Sequence, residues 1–179
     1  MKLRLNVTQL VLRNWGVRAN VSIGDRFHIG PGSVVWAPNR LNIGNDVYIG
    51  KGVTIEVDGQ IGDGVLFANG SGVVGKLDHD YRQIGVPVRR ARWVGDHPDL
   101  SIPVTIGSDV WVGFNASISS GVTVGDSSIV GMGSVVTKDV PPNTIVVGNP
   151  ARVVRQRFSN REFKEHWSLL LDRGYKKTS

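Results

Sequence analysis

An aliphatic residue recurs every six positions through most of this chain, and that period restricts the fold more than any other feature. Written in sixes from Ile106, the second half reads IGSDVW, VGFNAS, ISSGVT, VGDSSI, VGMGSV and VTKDVP. Ile106, Val112, Ile118, Val124, Val130 and Val136 open the hexads, and glycine follows the opener in four of the six. The fifth position is small or β-branched throughout: Val110, Ala116, Val122, Ser128, Ser134 and Val140. The first half repeats less strictly, with openers at Ile23, Ile29, Ile43, Ile49, Ile55 and Ile61 and the phase running on through Phe67 and Val73. Two extra residues interrupt it near WAPNRL, between Ile29 and Ile43. After Val73 the phase is lost until Ile106.

A period of six fits neither a helix nor an alternating strand carried on indefinitely. It fits a short strand and a turn, taken again and again. Each strand turns one aliphatic side chain inward, and the glycine after it lets the chain bend without a Cβ clash. Three hexads make one triangular coil of roughly 18 residues, and coils stack at about 4.8 Å, the ordinary strand spacing. A β-sandwich, with turns recurring every 8–12 residues or so, would not hold this register. The reading is an all-β solenoid.

Composition narrows the partners. With 179 residues, 40% of them hydrophobic and 20% charged, the chain is long enough for one domain with a real core. The absence of cysteine removes disulfides, thiolate zinc sites and a cysteine nucleophile. The net charge of +6 suggests an anionic partner, and nucleic acid, cofactor phosphates and an anionic glycan all satisfy it. No apolar run approaches the ~18 residues of a membrane span. The opening MKLRLNVTQLVLRNWG is too short and broken in its apolar stretch for a secretory leader, so the expected location is cytoplasmic.

The ends and the interruption stand out from the repeat. Segment 3–15 reads as a short strand or helix over one end of the solenoid. At the other end Pro141, Pro142 and Pro150 stop the hexads. The stretch SNREFKEHWSLLLDRG then reads as a helix, with a Ser159–Glu162 capping box and Gly174 as its terminator. Phe163, Trp167, Leu170 and Leu171 are expected on one face of it. Residues 76–103 cannot be solenoid, because their hydrophobic residues lose the phase and they hold Pro87, Pro98 and Pro103. A loop this long inside a compact domain is usually functional. The expected division is therefore a cap at 1–20, a solenoid at 21–155 with the inserted loop, and a helix and tail at 156–179.

Hexads of the form Ile/Val-Gly-x-x-small-x resemble the hexapeptide-repeat, left-handed β-helix acyltransferases. The tail elements VWVG, GMGSVVTKDVP and GNPARVVR are similar to those of the sugar and xenobiotic O-acetyltransferases in that superfamily. The left hand is what the resemblance implies, and it runs against the usual right-handed crossover. So are acetyl-CoA as acyl donor, a trimer with active sites between subunits, and a catalytic histidine on a loop leaving the solenoid. O-acylation needs a base, and a histidine with a pKa near 6.5 suits the task. His79, in DHD, matches the family's position and sits at the loop root, a more rigid place than that of His97. Asp80 or Asp78 would orient the imidazole. A turn N–H and the Asn69 side chain would hold the oxyanion. Coenzyme A contacts carry over to Trp111, Gly113, Met132, Thr137, Lys138, Arg152 and Arg155. Arg89, Arg90 and Trp93 suit an anionic or stacked sugar acceptor.

Three rival readings remain at this stage. A γ-class carbonic anhydrase on the same fold needs a close histidine pair and a third histidine for zinc, and the four histidines here show no such pair, so no metal is expected. A non-catalytic solenoid is a second rival. An N-acetyltransferase of an amino sugar, or an acetyltransferase of an antibiotic, is the third. The preferred reading is direct acetyl transfer to a sugar or polysaccharide hydroxyl, with neither nucleic acid nor membrane as partner.

Overall fold

The computed structural model describes residues 7–178, so residues 1–6 of the expected cap lie outside it. Its body is a left-handed parallel β-helix with three faces. The first face stacks β1 (Val21–Ile23), β4 (Leu41–Ile43), β7 (Gly59–Ile61), β10 (Val104–Ile106) and β13 (Thr123–Val124). The second stacks β2 (His28–Ile29), β5 (Tyr48–Ile49), β8 (Leu66–Phe67), β11 (Trp111–Val112), β14 (Ile129–Val130) and β16 (Thr144–Val147), and ends on β17 (Arg152–Gln156). The third stacks β3 (Val34–Trp36), β6 (Thr54–Glu56), β9 (Gly72–Val74), β12 (Ser117–Ser119) and β15 (Val135–Val136). Every rung is parallel except the last, where β17 folds back antiparallel on β16. Arg152 and Arg155 therefore sit on an edge hairpin rather than in a coil.

The hexad openers form the core. Ile29, Ile49, Ile55, Phe67, Val73, Ile106, Val112, Ile118, Val124 and Val130 are all sealed from solvent. The fifth-position residues from Val110 to Val140 are buried beside them.

The structure assigns the glycines a different reason from the one the pattern suggests. The second-position glycines do not adopt positive φ; the positive angles fall two residues later, at Asp46, Asp109, Asn115, Ser127 and Gly133. What excludes a side chain at the second position is the next coil. A Cβ on Gly30 would lie 2.5 Å from the Gly50 carbonyl oxygen, and one on Gly113 2.7 Å from Met132 N. The third position then supplies a corner ladder. Asn45 Oδ1 accepts from Asp25 N (2.8 Å), Asp63 Oδ1 from Asn45 N (2.7 Å), and Asp126 Oδ1 from Ser108 N (2.7 Å).

The ends are closed by helices. Helix α1 (Val7–Gly16) lies over the first coil, where Gln9 both donates to the Ile29 carbonyl and accepts from its N–H. Helix α2 (Asn160–Asp172) begins with the Ser159–Glu162 capping box. Trp167 is buried beneath it and Phe163 and Leu170 are half-buried, whereas Leu171 turns to solvent. Asp109 Oδ2 clasps this end, meeting Arg157 Nη1 and His166 Nε2 at 2.8 Å each. No described helix is long and apolar enough to cross a membrane.

Both interruptions of the repeat occur at one corner, between the third face and the first. In the first coil this corner holds the two extra residues, within 37–40; in the third it holds the loop between Val74 and Val104. Asp58, at the same corner of the second coil, joins them. Its carboxylate accepts from Asn39 N and Arg40 N at 2.7 Å each and from Asn39 Nδ2 at 2.7 Å, while Asn39 Nδ2 also reaches the Pro98 carbonyl of the loop. Burial alone would push the Asp58 pKa up, but the bonds from Ser101, Asn39 and Arg40 outweigh it and hold the group below its ordinary value. A carboxylate with a depressed folded pKa contributes stability above the ordinary value of 3.8 that is lost as pH falls through the folded value. Asp58→Ala strands two backbone N–H groups and is expected to cost roughly 2–4 kcal/mol at pH 7. Denaturant melts of both proteins should converge as pH drops below about 4, and a constant gap would contradict this role for Asp58.

Candidate active site

The corner that carries the loop breaks the rule of the second position. At the other two corners of the coils up to β15 that position is glycine or alanine, as at Gly24, Gly44, Gly50, Ala68, Gly107 and Gly131. Here it is Trp36, Glu56, Val74, Ser119 and Thr137. On the third face most strands run one residue further before turning, so the second-position side chain stands outward with room to be large. Register pairs Trp36 with Glu56, Glu56 with Val74 and Val74 with Ser119, and Thr137 follows the Ile118–Val136 pair. These five residues form a column along one edge, one rung of about 4.8 Å apart.

The loop leaves from Val74, the middle of that column. Its root is a two-stranded antiparallel clip, in which Val94 N donates to the Asp78 carbonyl and Asp80 N to the Arg92 carbonyl, both at 2.9 Å. His79 and Trp93 face each other across the clip. Such a pair, not directly hydrogen-bonded, brings the two side chains close on one side. Trp93 in turn stacks on Trp36, with ring centroids 6.3 Å apart and planes 18° apart. Two glycines permit this arrangement. A Cβ on Gly95 would fall on the Trp93 ring, and one on Gly75 would fall on the Asp78 carboxylate. A cavity of about 390 Å³ results, lined by Arg18, Trp36, Glu56, Asp78, Trp93 and Val94, with Ala19 and Gly95.

His79 is half-buried, and its Nδ1 is enclosed without a hydrogen-bond partner. This leaves Nε2 as the nitrogen open to a substrate. Of the two neighbouring acids, Asp78 is the one coupled to it. Burial raises the Asp78 pKa, while attraction to His79 pulls the other way. Asp80 instead accepts from Arg82 N in its own turn (3.3 Å). The other histidines are placed differently. His28 stacks on Tyr48 at 4.4 Å, with burial and then Arg13 lowering its pKa. His166 holds Asp109. His97 precedes Pro98 in the loop, its N–H donating to the Trp93 carbonyl at 2.8 Å.

The remaining expected residues divide among three places. Trp111 and Arg155 lie on the outside of the second face, joined in register through Ile129 and Ile145. Gly113 and Met132 occupy the corner that follows that face. Thr137 and Lys138 lie at the loop corner, two coils from the loop root, and Lys138 shares a cavity of about 230 Å³ with Arg152. Asn69 stands at the far end of β9 from the loop, where its Oδ1 accepts from Lys51 N (2.8 Å) as a rung of a corner ladder. No hydrogen bond joins it to His79. Of the expected acceptor residues, Trp93 lines the cavity, whereas Arg89 and Arg90 are exposed outside it. Trp36, Glu56 and Arg18 were missed; the signal for the first two was the recurrent loss of glycine at every third hexad. Among the described residues no three His, Cys, Asp or Glu side chains cluster so as to hold a metal ion.

A sequence profile described as the hexapeptide repeat of succinyl-transferase matches residues 103–138. The galactoside O-acetyltransferase of Escherichia coli (strain K12) is 33% identical over 138 residues, covering 77% of this chain and 55% of that protein. The chain thus spans about half the length of the curated relative it matches. Among solved structures, the N-acyltransferase AntD from Bacillus cereus, in complex with dTDP and coenzyme A, superposes with a TM-score of 0.60 at 16% identity, over 92% of this chain and 96% of that one. PerB from Caulobacter crescentus, in complex with coenzyme A and GDP-perosamine, gives a TM-score of 0.53 at 22% identity, over 78% of this chain and 54% of that one. At these identities the two structures speak to the fold.

The stacked indoles provide a check on the cavity wall. Gly95→Ala should push Trp93 off Trp36 and abolish the exciton-coupled ellipticity of the pair, as Trp36→Phe does. The melting point should stay within about 2 °C, because the prism core is untouched. A Gly95→Ala spectrum identical to wild type would show that the ring does not rest there.

Proposed function

Starting from a chain that belongs to the hexapeptide-repeat acyltransferase superfamily, we propose that it transfers an acetyl group from acetyl-CoA to a hydroxyl of a sugar, with His79 as general base. One observation supports the reading: along the column at the loop corner, the cavity lies on one side of the loop root and two of the expected donor contacts, Thr137 and Lys138, lie on the other. Glu56 and Trp36 lie one and two rungs to one side of the loop root, and Ser119 and Thr137 one and two rungs to the other. The acceptor hydroxyl and the thioester therefore have separate approaches to a single imidazole.

The reaction is direct. His79 Nε2 takes the proton of the acceptor hydroxyl as its oxygen attacks the acetyl carbonyl. The tetrahedral intermediate collapses, the C–S bond breaks, and the imidazolium returns the proton to the departing thiolate. Asp78 favours the imidazolium that forms between these steps. No acyl-enzyme is required, in keeping with a chain that has no cysteine.

The same geometry supports a shared site. In a three-sided prism the second face lies opposite the loop corner, so Trp111 and Arg155 cannot meet His79 within one chain. They would meet the His79 of a neighbouring copy packed side by side, which a trimer supplies. Lys138, with Arg152 beside it, and Arg155 across the interface are suited to the phosphates of coenzyme A. Asn69 Nδ2 would serve the oxyanion in that shared setting. Arg89 and Arg90 would serve only an acceptor that extends past the cavity; their replacement by alanine should spare the KM of a monosaccharide.

His79→Ala is expected to lower kcat by about 10²–10⁴-fold with the KM for acetyl-CoA little changed, measured as thiol release in the presence of sugar acceptors. Undiminished turnover in this variant would remove His79 from the mechanism.

A further inference from the structure

We propose that the cavity beside His79 takes a protonated amino sugar, with its ammonium between Glu56 and Asp78 and its ring against the Trp36–Trp93 wall. This rests on the sugar-acceptor reading above and names its class. Three charged side chains line the cavity, and two of them are carboxylates. Neither is held in an ion pair, although Asp78 feels the attraction of the adjacent His79. Among the described residues the ion pairs join Arg26 with Asp46, Arg92 with Asp99, and Asp109 with Arg157 and His166; Glu56 and Asp78 take part in none. The third charge, Arg18, is exposed at the rim, just beyond the bridge between Val17 and Val35.

Burial makes the carboxylate form costly at Asp78, and Glu56 stands in the column that lines the same cavity. Glu56 occupies a position that the repeat fills with glycine at the other corners, and Asp78 is folded into the space that Gly75 leaves open. A half-enclosed carboxylate without a partner is disfavoured unless a ligand brings the opposite charge. An anionic sugar would meet two like charges, and a neutral one would leave both uncompensated. An ammonium satisfies both, and it also favours the faces of Trp36 and Trp93, since indole attracts cations more than any other side-chain ring. The cavity, at about 390 Å³, lies near the small end of ligand sites and suits one sugar ring with a substituent. The ammonium acts here as an anchor. The group acetylated is a neighbouring hydroxyl that the anchor brings to His79 Nε2.

Tryptophan fluorescence titration of the full chain, without acetyl-CoA, tests this with D-glucosamine, D-glucose and D-glucuronate as probes. Glucosamine should bind about tenfold or more tighter than glucose, and glucuronate weakest of the three. Glu56→Gln should bring glucosamine to the level of glucose while glucose itself changes less than about twofold, and Glu56→Asp should restore part of the preference. Trp36→Phe should weaken both sugars and keep their order. Equal affinities, a reversed order, absence of binding by all three probes, or a preference that survives both Glu56→Gln and Asp78→Asn would overturn the assignment. The two levels of the argument separate cleanly. Glucosamine binding without acetyl transfer keeps the cavity's specificity and removes the reaction. Transfer that ignores the amine keeps the reaction and removes the specificity.

Discussion

The distance between successive coils at the corners governs this molecule. Parallel rungs lie about 4.8 Å apart, and at two corners of every coil the backbone of one turn lies directly on the next. A Cβ on Gly44 would be 2.8 Å from the Gly62 carbonyl carbon, and one on Gly125 2.4 Å from Pro142 N. Up to the last coil, where Pro141 and Val147 take these positions, they hold only glycine or alanine. The inward aliphatic residues hold the coils together, but the corners decide which side chains the surface can carry. At the third corner the strand runs on before turning, and the restriction lifts. That corner is where the column of outward side chains, the two-residue bulge and the long loop all occur.

This explains how much of the molecule was legible in the sequence. The hexad openers were unmistakable because burial demands the same kind of side chain at each, and the fold follows from them. The loop was legible as a loss of phase, and the terminal helix from its capping box. The cavity was not legible, because its residues belong to different coils. Trp36 and Glu56 are 20 residues apart and become neighbours only by register, and Trp93 arrives from the loop. Yet a trace of it was present. Within the strict hexads, the openers not followed by glycine are Ile55, Ile118 and Val136, and all three lie in strands of the third face. The reason first given for those glycines, a backbone bend, drew attention to the conformation of single residues. The structure places the bend at the fourth position and the steric demand at the second, and it is the second that marks the functional edge.

The histidine gains its position from the same edge. A base on a loop must be held to a fraction of an ångström to be useful, and a free loop would not hold it. Here the clip between Asp78–Asp80 and Arg92–Val94 ties the root to itself. The Trp93–Trp36 stack ties it to the first coil, and the Asn39 bond to Pro98 ties its far arm to the bulge that Asp58 organises. The loop is thus fastened to coils that precede it in the chain, and at its two ends to the coil that follows, where Ser120 Oγ accepts from Lys76 N (2.8 Å) and the Pro103 carbonyl accepts from Gly121 N (3.1 Å).

The overall charge and the charge of the cavity point in opposite directions, and the contrast follows from this arrangement. The chain carries +6, with Lys138, Arg152 and Arg155 clustered at the end of the prism where phosphates are expected. The cavity on the other side of His79 is acidic. The proposed reaction, which brings a polyanionic donor and an acceptor to one imidazole, would gain from opposite fields, since each attracts one substrate and repels the other from the wrong approach. Net charge, read from composition, hides the acidic cavity. The cavity's charge depends on Glu56 of the repeat and Asp78 of the loop, which the fold brings together, and a sum over the sequence cannot separate them from the rest.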